Sequence, residues 1–490
     1  MSSPQEIDVV WFKRDLRLQD HAPLKQAIES PRPVLLCYFY EPSVFESNHY
    51  GERHGRFVWE SLQDMNDQLA PHDARIEVTY EEVIPALEKL VDHFNINTMY
   101  SHEETGVNIT FERDKQVANF CDQQGVDWQE SPTNAVFRGL MHRDDWRDRW
   151  KEQANRSLAH PQLLSLETVA LPDELESSFS ISSVPDSYQS PDLNFQQGGE
   201  TNAWSCLQDF VFERGRHYND LISKPAGSRY GCSRLSPFLT WGNLSLQQAY
   251  QYLWEQYDDL EHQWPLRSFG SRLKWHCHFI QKFEAEPRIE FENLNRGYDD
   301  IRNDVNPEYV QAWKKGKTGF PMVDACMRAV RQTGYINFRM RAMLVSVLTH
   351  HLWQPWQAGA RFLGRQFLDF EPGIHYSQFQ MQAGTMGVNS VRIYNPVKQG
   401  YDHDPDGTFI RQWVPELGDV PTELIHEPWT MTRMEQQMYD CGMGQDYPNR
   451  LVDHKKAYKE ANSTLWEKKS EDKVKAENDR ILQKHVKSRS

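Results

Sequence analysis

The first third of the chain alternates two apolar patterns, and that alternation limits the fold more than any other feature. IDVVWF (residues 7–12) and VLLCYFY (34–40) are short continuous apolar runs, as strands buried on both faces of a parallel sheet require. Between and after them, APLKQAIES (22–30), RFVWESLQDMNDQLA (56–70), EEVIPALEKLVDHF (81–94) and ERDKQVANFCDQQG (112–125) carry helical spacing, and Gly125 is placed to stop the last. This succession predicts a doubly wound parallel-sheet α/β domain over residues 1–135.

The strand signal then fades. Residues 136–200 read as an interdomain linker, because SSFSISSVPDSYQSPDLNFQQGG (177–199) is rich in Ser, Pro, Gly and Gln. Amphipathic helical patterns such as PMVDACMRAVRQTG (321–334) and RMRAMLVSVLTHHLW (339–353) dominate afterwards, which predicts an all-α domain over 201–453. A chain of 490 residues exceeds what one compact core serves, in agreement with this division. The tail, 454–490, carries 11 Lys and Arg against 6 Asp and Glu after His454, in a chain of net charge −16. It reads either as a solvated terminal helix that frays or as a nonspecific phosphate contact.

The acidity excludes a protein that coats nucleic acid along its whole surface but leaves room for a local basic groove. No apolar run approaches the length of a membrane span, and MSSPQEIDVVWF has neither region of a signal peptide, so a cytoplasmic protein with no membrane partner is expected. Cys37, Cys121, Cys206, Cys232, Cys277, Cys326 and Cys441 are scattered, odd in number and never spaced as CxxC. That pattern argues against a disulfide framework, a zinc ribbon or an iron–sulfur cluster. His276, Cys277 and His278 are adjacent on a helix and point apart, so no metal is expected there. GKTG (316–319) lacks the GxxxxGK[ST] frame of an ATP-binding loop.

GCSRLSPFLTWGNLS (231–245) is the stretch that points to a ligand. Ser233 and Ser236 flank Arg234 just before Pro237, a residue suited to the first turn of a helix, so hydroxyls and free N–H groups would converge at a positive helix end. Such a convergence fits a phosphate, although serines before a proline are also ordinary helix caps.

WFKRDLRLQDHAPL (11–24), SRLSPFLTWGNLS (233–245), AWKKGKTGFPMVDACMR (312–328) and RIYNPVKQGYDHDPDGTFIRQWVPEL (392–417) occur in this order over nearly the full chain. Together they resemble the photolyase/cryptochrome family. The resemblance implies an α/β domain that can hold an antenna chromophore, folate or deazaflavin, and a helical domain folded around a U-shaped FAD. YSHEETGVNITFERD (100–114), with His102, Glu103 and Glu104, is the antenna-loop region. The resemblance sets Tyr218, Cys232, Ser233, Arg234, Leu235 and Ser236 along the FAD pyrophosphate and ribityl chain, with Cys232 standing where the family usually has Thr.

Arg341 falls in the apolar RMRAMLVSVL, on one face with Val345 and Leu348, so burial and a carboxylate partner are expected. The resemblance names Asp369 as that partner. The pair is either a plain structural ion pair or a charged clamp that favours the reduced anionic flavin. In FEPGIHYSQFQMQAG (370–384), Pro372 opens a helix whose dipole is positive near His375. The resemblance puts His375 opposite flavin N5, where the family often has Asn, and Glu371 where it has Asp. His375 reads either as a proton donor and acceptor near neutral pH or as a helix-terminal histidine bonded to backbone.

On the lesion side, in SRLKWHCHF (271–279), the resemblance gives Trp275 the base-stacking position, while Arg272 takes the place of the Glu used by pyrimidine-dimer photolyases. Phe338 replaces an Asn, Ala342 a Met and Met381 a second stacking Trp. Asn337 and Ala342 fill the positions of the two histidines of (6-4) photolyases. Arg272 would pair with a phosphate or a base carbonyl, or form an internal salt bridge. Trp356 matches the middle electron-transfer tryptophan, with Phe379 and Asn303 at the proximal and distal positions and Trp353, Tyr376 or Tyr394 as another route. The implied catalytic set is Trp275, Arg272 and His375. The implied function is a monomeric, FAD-dependent blue-light photolyase acting on pyrimidine dimers in UV-damaged DNA. The alternative is a cryptochrome-like photoreceptor in which the same flavin photochemistry alters a surface seen by a partner.

Overall fold

The computed structural model describes residues 4–140 and 142–485. Five parallel strands, β1 (Gln5–Phe12), β2 (Val34–Phe39), β3 (Glu77–Thr79), β4 (Phe94–His102) and β5 (Asp127–Ser131), form one sheet in the order β3-β2-β1-β4-β5. Asp8, Val9 and Val10 pair with Val34, Leu35 and Leu36 on one side and with Thr98, Met99 and Tyr100 on the other. Alternate β1 residues serve two cores, which is why the run shows so little polar alternation. Ile7, Val9 and Trp11 pack with Leu87, Leu90 and Val117, while Val10 and Phe12 join the large core shared with the helical domain.

The crossovers are α1 (Ala22–Glu29), α2 (Glu52–Leu69), α3 (Val83–His93) and α4 (Asn108–Gln124), matching the four helical stretches read from spacing. Gly125 ends α4 with φ 74°, a left-handed conformation that glycine adopts without steric cost. The strand order reverses between β1 and β4, so the crevice at their carboxyl ends is the place where such sheets bind ligands.

Residues 136–200 are more ordered than their composition predicts. α5 (Trp146–Asn155) buries Trp146 and Trp150, and Leu171, Leu175 and Phe179 complete the outer core of the sheet. The Ser and Pro mark turns, but the apolar residues between them anchor the segment.

The rest is helical, as expected: α6 (Ser236–Trp241), α7 (Gln263–Ala285), α8 (Pro321–Thr333), α9 (Phe338–Ser346), α10 (Gln357–Gln366) and α11 (Pro372–Ala383) build the domain around the site. The terminal segment corrects the expectation of a frayed tail. α12 (His454–Ser470) and α13 (Asp472–His485) bury Ala461, Leu465, Val474 and Ile481, and His485 Nε2 lies 2.8 Å from Glu286. Among the described residues of the tail, Lys468 pairs with Asp300 and Arg480 with Glu286, which fastens these helices to the domain; residues 486–490 of the expected tail lie outside the described residues.

The two domains meet at the end of β1. Leu16 N–H donates to the Trp241 carbonyl at 3.1 Å and the Arg17 guanidinium to that of Gly242 at 3.0 Å. Gly242 has φ 76°, and a Cβ there would lie 2.4 Å from Asp15 Cα, so only glycine permits this approach. Among the described residues no helix is long and apolar enough to cross a membrane, and no cysteine is in a disulfide.

Candidate functional site

A cavity between α9, α10 and α11 is lined by Phe338, Arg341, Ala342, Phe367, Asp369, His375 and Phe379. Arg341 donates to Asp369 Oδ2 at 2.9 Å and to the Ile336 carbonyl at 2.8 Å, and its guanidinium lies 4.1 Å over the Phe367 ring. Its side chain is 23% exposed, so it borders the cavity and is not sealed in the core as its apolar helix predicted. Burial opposes the charged form of Asp369, but Arg341, with help from Ser236 and Arg234, holds its pKa below the ordinary carboxylate value.

α11 begins where Pro372 was expected to open it, and Glu371 caps it by accepting from Gly373 N–H. Glu371 is also paired with Arg14 of the α/β domain, so the cap ties the two domains together. Burial raises the Glu371 pKa and Arg14 counters it. His375 donates from Nε2 to the Ala360 carbonyl at 2.8 Å and packs 4.7 Å from Phe379. Burial pushes its pKa down to about 3. Its Nε2 is committed to backbone, and burial disfavours the charged form.

The 231–245 turn is built differently from a helix-end anion cradle. α6 has only six residues, so its dipole is slight and the positive charge is that of Arg234 itself. Arg234 sits at φ 62°, costly for a side-chain-bearing residue, with its guanidinium 3.5 Å over Tyr335 and one donor on Gln196 at 3.2 Å. Arg214 holds the turn by donating to the carbonyls of Cys232 and Ser233. Nothing in the sequence spacing marks Arg214 for that task. Leu235 and Tyr218 are buried. Burial raises the Tyr218 pKa, and Arg272 is near enough to oppose that shift, which places Arg272 on the same wall.

Four buried polar atoms in this region have no hydrogen-bond partner: Arg234 Nη1, His276 Nε2, Asn337 Oδ1 and Asp369 Oδ1. Of the four, Asp369 lines the cavity, while Arg234 and His276 lie close enough to feel its charge. An unsatisfied buried group costs about 1–3 kcal/mol, so Asp369 Oδ1 and the atoms near it are polar capacity that a ligand with both donors and acceptors would complete. His276 and His278 do point apart: burial, with Arg14, pulls the His276 pKa to about 4, while His278 Nδ1 lies 3.0 Å from Arg143.

Trp275 is 49% exposed and stacks at 5.7 Å on Phe279, and Phe338 on the cavity wall is 50% exposed. Arg272 is exposed, lies within hydrogen-bonding reach of Tyr218, and makes no ion pair among the described residues. Met381 is partly buried and Asn303 exposed. Trp356 is buried, with Nε1 donating to Asn293 at 2.8 Å and its ring 6.1 Å from Tyr376. Tyr376 lies 5.4 Å from His375 and shares a 2.6 Å hydrogen bond with His49.

The β1/β4 crevice holds His102, Glu103 and Glu104 together with Lys13, Arg14 and Asp15. Asp15 Oδ2 lies 2.9 Å from His21 Nε2 and 2.7 Å from His102 Nδ1. Asp15, His21 and His102 have the donor atoms of a metal site. However, Leu24 N–H donates to His21 Nδ1, which leaves the imidazole proton on Nε2, pointing at Asp15. The three groups satisfy one another. Glu104 pairs with Arg113, which also pairs with Glu41.

Residues 8–145 match the model of the family described as "DNA photolyase", and 269–467 match that of the "FAD binding domain of DNA photolyase". The chain is 29% identical over 485 residues to the deoxyribodipyrimidine photo-lyase of Alkalihalophilus pseudofirmus, covering 94% of this chain and 98% of that one. It is 28% identical over 483 residues to cryptochrome DASH of Synechocystis, covering 91% and 94%. The crystal structure of a bacterial class III photolyase from Agrobacterium tumefaciens superposes with a TM-score of 0.82 at 23% identity, covering 96% and 99%.

Proposed function

From the premise that the chain belongs to the photolyase/cryptochrome family, we propose that it is an FAD-dependent, blue-light-driven DNA photolyase acting on pyrimidine dimers. The observation that carries the cofactor assignment is the partnerless buried oxygen of Asp369 on the cavity wall, with partnerless nitrogens of Arg234 and His276 within electrostatic reach of that carboxylate. Their donor and acceptor types suit a molecule with a pyrophosphate at one end and a polar ring system at the other.

FAD, when bound, would supply light-driven one-electron chemistry. The free Arg234 Nη1 would take a phosphate oxygen, and Tyr218, Cys232, Ser233, Leu235 and Ser236 would line the chain beside it. Arg341 and Asp369 would fix a charged pair at the ring-side wall. His375, its Nε2 proton committed to Ala360, keeps Nδ1 as an acceptor only and delivers no proton from it. Trp275 offers a half-exposed face for a flipped base, a contact worth about 1–3 kcal/mol, and Arg272 supplies a cation without an ion pair. Trp356, Tyr376 and His375 form a contiguous ring series from the interior to the cavity. We assign the chain a monomeric, cytoplasmic role on UV-damaged DNA, with FAD as the working chromophore and the β1/β4 crevice as the place for any folate or deazaflavin antenna.

A photoreceptor is the second reading, favoured by Arg272, Phe338 and Met381 on the lesion side, where a repair pocket of the family has other side chains. Blue-light repair of dimer-containing oligonucleotides separates the two. Dimer loss that depends on light and on Trp275 supports the enzyme. Flavin photochemistry without dimer loss supports the receptor.

A further inference from the structure

A second cleft lies where both domains meet the linker, outside the site described above. Gly51, Arg53 and Arg56 from the start of α2, Phe195 from the linker, and Arg365 from the end of α10 wall it, and it encloses about 310 Å³. The charges around it are unequally spent. Arg53 donates to the backbone carbonyls of Gln366, Arg331 and Val330 at 2.6, 3.0 and 3.3 Å. Arg56 donates to the carbonyls of Ser190 and Ser187 at 2.6 and 3.3 Å, and its Nη1 lies 3.7 Å from Asp192. Both guanidiniums are steadied over Phe195, at 4.8 and 5.9 Å.

Carbonyls orient these cations without neutralising them. Arg365 and the neighbouring Arg331 guanidinium make no hydrogen bond or ion pair among the described residues. The crowding is felt by Arg53, whose pKa burial, then Arg365, Arg331 and Arg56, pull down to about 10. Against the three arginines on the cleft walls stand Asp192 and Glu52, leaving one positive charge there, with Arg331 close enough to act on Arg53, in a chain of net charge −16. Guanidinium forks match phosphate oxygens in geometry as well as charge. The volume sits at the lower end of the roughly 300–1,000 Å³ of small-molecule sites, which favours a compact ligand.

We propose that this cleft binds a doubly charged phosphate group, free or at the end of a nucleotide, gripped by Arg365 and Arg56 with Arg53 behind them. Because Arg56 comes from the α/β domain, Asp192 and Phe195 from the linker and Arg365 from the helical domain, occupancy would tie the linker to both domains. The proposal does not depend on the flavin assignment.

Isothermal titration calorimetry of the purified full chain at fixed ionic strength, with its flavin content recorded, tests this using inorganic phosphate, pyrophosphate and ADP in separate runs. Saturable one-to-one binding of at least one of them is expected, with Arg365→Gln weakening it tenfold or more and Arg365→Lys weakening it less. Tighter binding of ADP than of pyrophosphate assigns a nucleotide; equal or tighter binding of the inorganic anions assigns free phosphate. Arg365 is exposed and unbonded, so the variants should melt with the parent, and a melt displaced by several degrees directs the same test to Arg56→Lys. No saturable heat from any of the three overturns the proposal, as does binding that Arg365→Gln leaves within twofold, the result expected of an anion sitting in a vacant flavin site.

Discussion

The crevice at the carboxyl ends of β1 and β4 and the cavity among α9, α10 and α11 both concentrate charge, yet they dispose of it differently. In the crevice, Asp15 accepts from His21, His102 and the Lys13 backbone, and Arg113 is shared by Glu41, Glu104 and Asp114 while lying 4.8 Å over Trp11. Even Lys13, which makes no hydrogen bond through Nζ, stands 3.7 Å from both Asp114 and Glu130. On the cavity wall Asp369 keeps a buried oxygen unpaired, as do nearby Arg234 and His276 with a nitrogen each. Glu41 Oε1 and Glu130 Oε1 on the crevice side also lack a hydrogen-bond partner, so the difference lies in how many charges are shared among ion pairs: several in the crevice, the single Arg341–Asp369 pair in the cavity.

The largest expected effect breaks the comparison directly. Asp369→Ala leaves Arg341 without its carboxylate, a loss on the order of 3–5 kcal/mol for a buried pair and nearer the lower figure here because Arg341 keeps some solvent. Glu104→Gln leaves Arg113 with Glu41 and Asp114 and should cost about 1 kcal/mol. Urea unfolding at pH 7 measures both, and a costlier Glu104→Gln would reverse the contrast.

Arg234→Ala should weaken FAD retention by about 1.5–3 kcal/mol through one lost charged contact to phosphate. Flavin absorbance after gel filtration reports it. Retention equal to the parent would remove Arg234 from the site.

The buried histidines sharpen the comparison through pH. His375 in the helical domain and His102 in the α/β domain are both pulled by burial to about 3, below the unfolded value of about 6.5. Between these values the unfolded chain binds more protons, so stability is full above about 6.5 and falls as pH drops toward 3. Each histidine contributes a slope of about 1.4 kcal/mol per pH unit in that window. His375→Asn and His102→Asn should each flatten the stability profile between pH 6 and pH 4.5. A slope unchanged by His375→Asn would mean that its ring is protonated in the folded chain.

The smallest effect is Trp275→Ala. A half-exposed ring should change folding stability by no more than about 0.5 kcal/mol. A loss of several kcal/mol in a thermal melt would make Trp275 a packing residue and remove the argument that its face is kept free for a ligand.

Local patterns carried much of the architecture. The apolar runs of β1 and β2 could be read because their side chains are buried on both faces, and Gly125 and Pro372 mark helix ends by their own backbone geometry. The order within residues 136–200 is not legible locally, because Leu175 and Phe179 are isolated apolar residues whose partners lie on a distant sheet and Trp146 packs against His278 of α7, and that of the tail is hidden because Leu465 and Val474 are outnumbered locally by lysines. The 231–245 turn drew notice through its residue types, but its support by Arg214 and Tyr335 depends on contacts that no local spacing encodes.

The sequence by itself determined the alternation of strands and helices, the helical second domain and the residue types of a phosphate-facing turn, since these follow from periodicity and side-chain chemistry within a few neighbours. Only the tertiary structure decided that His375 is buried with Nε2 on the Ala360 carbonyl, that Arg14 rather than a neighbour on its own element answers Glu371, and that Arg234, His276 and Asp369 keep buried atoms unpaired. Charge state and hydrogen-bond satisfaction depend on burial and on which distant groups arrive within about 3 Å, and those are properties of the packed chain.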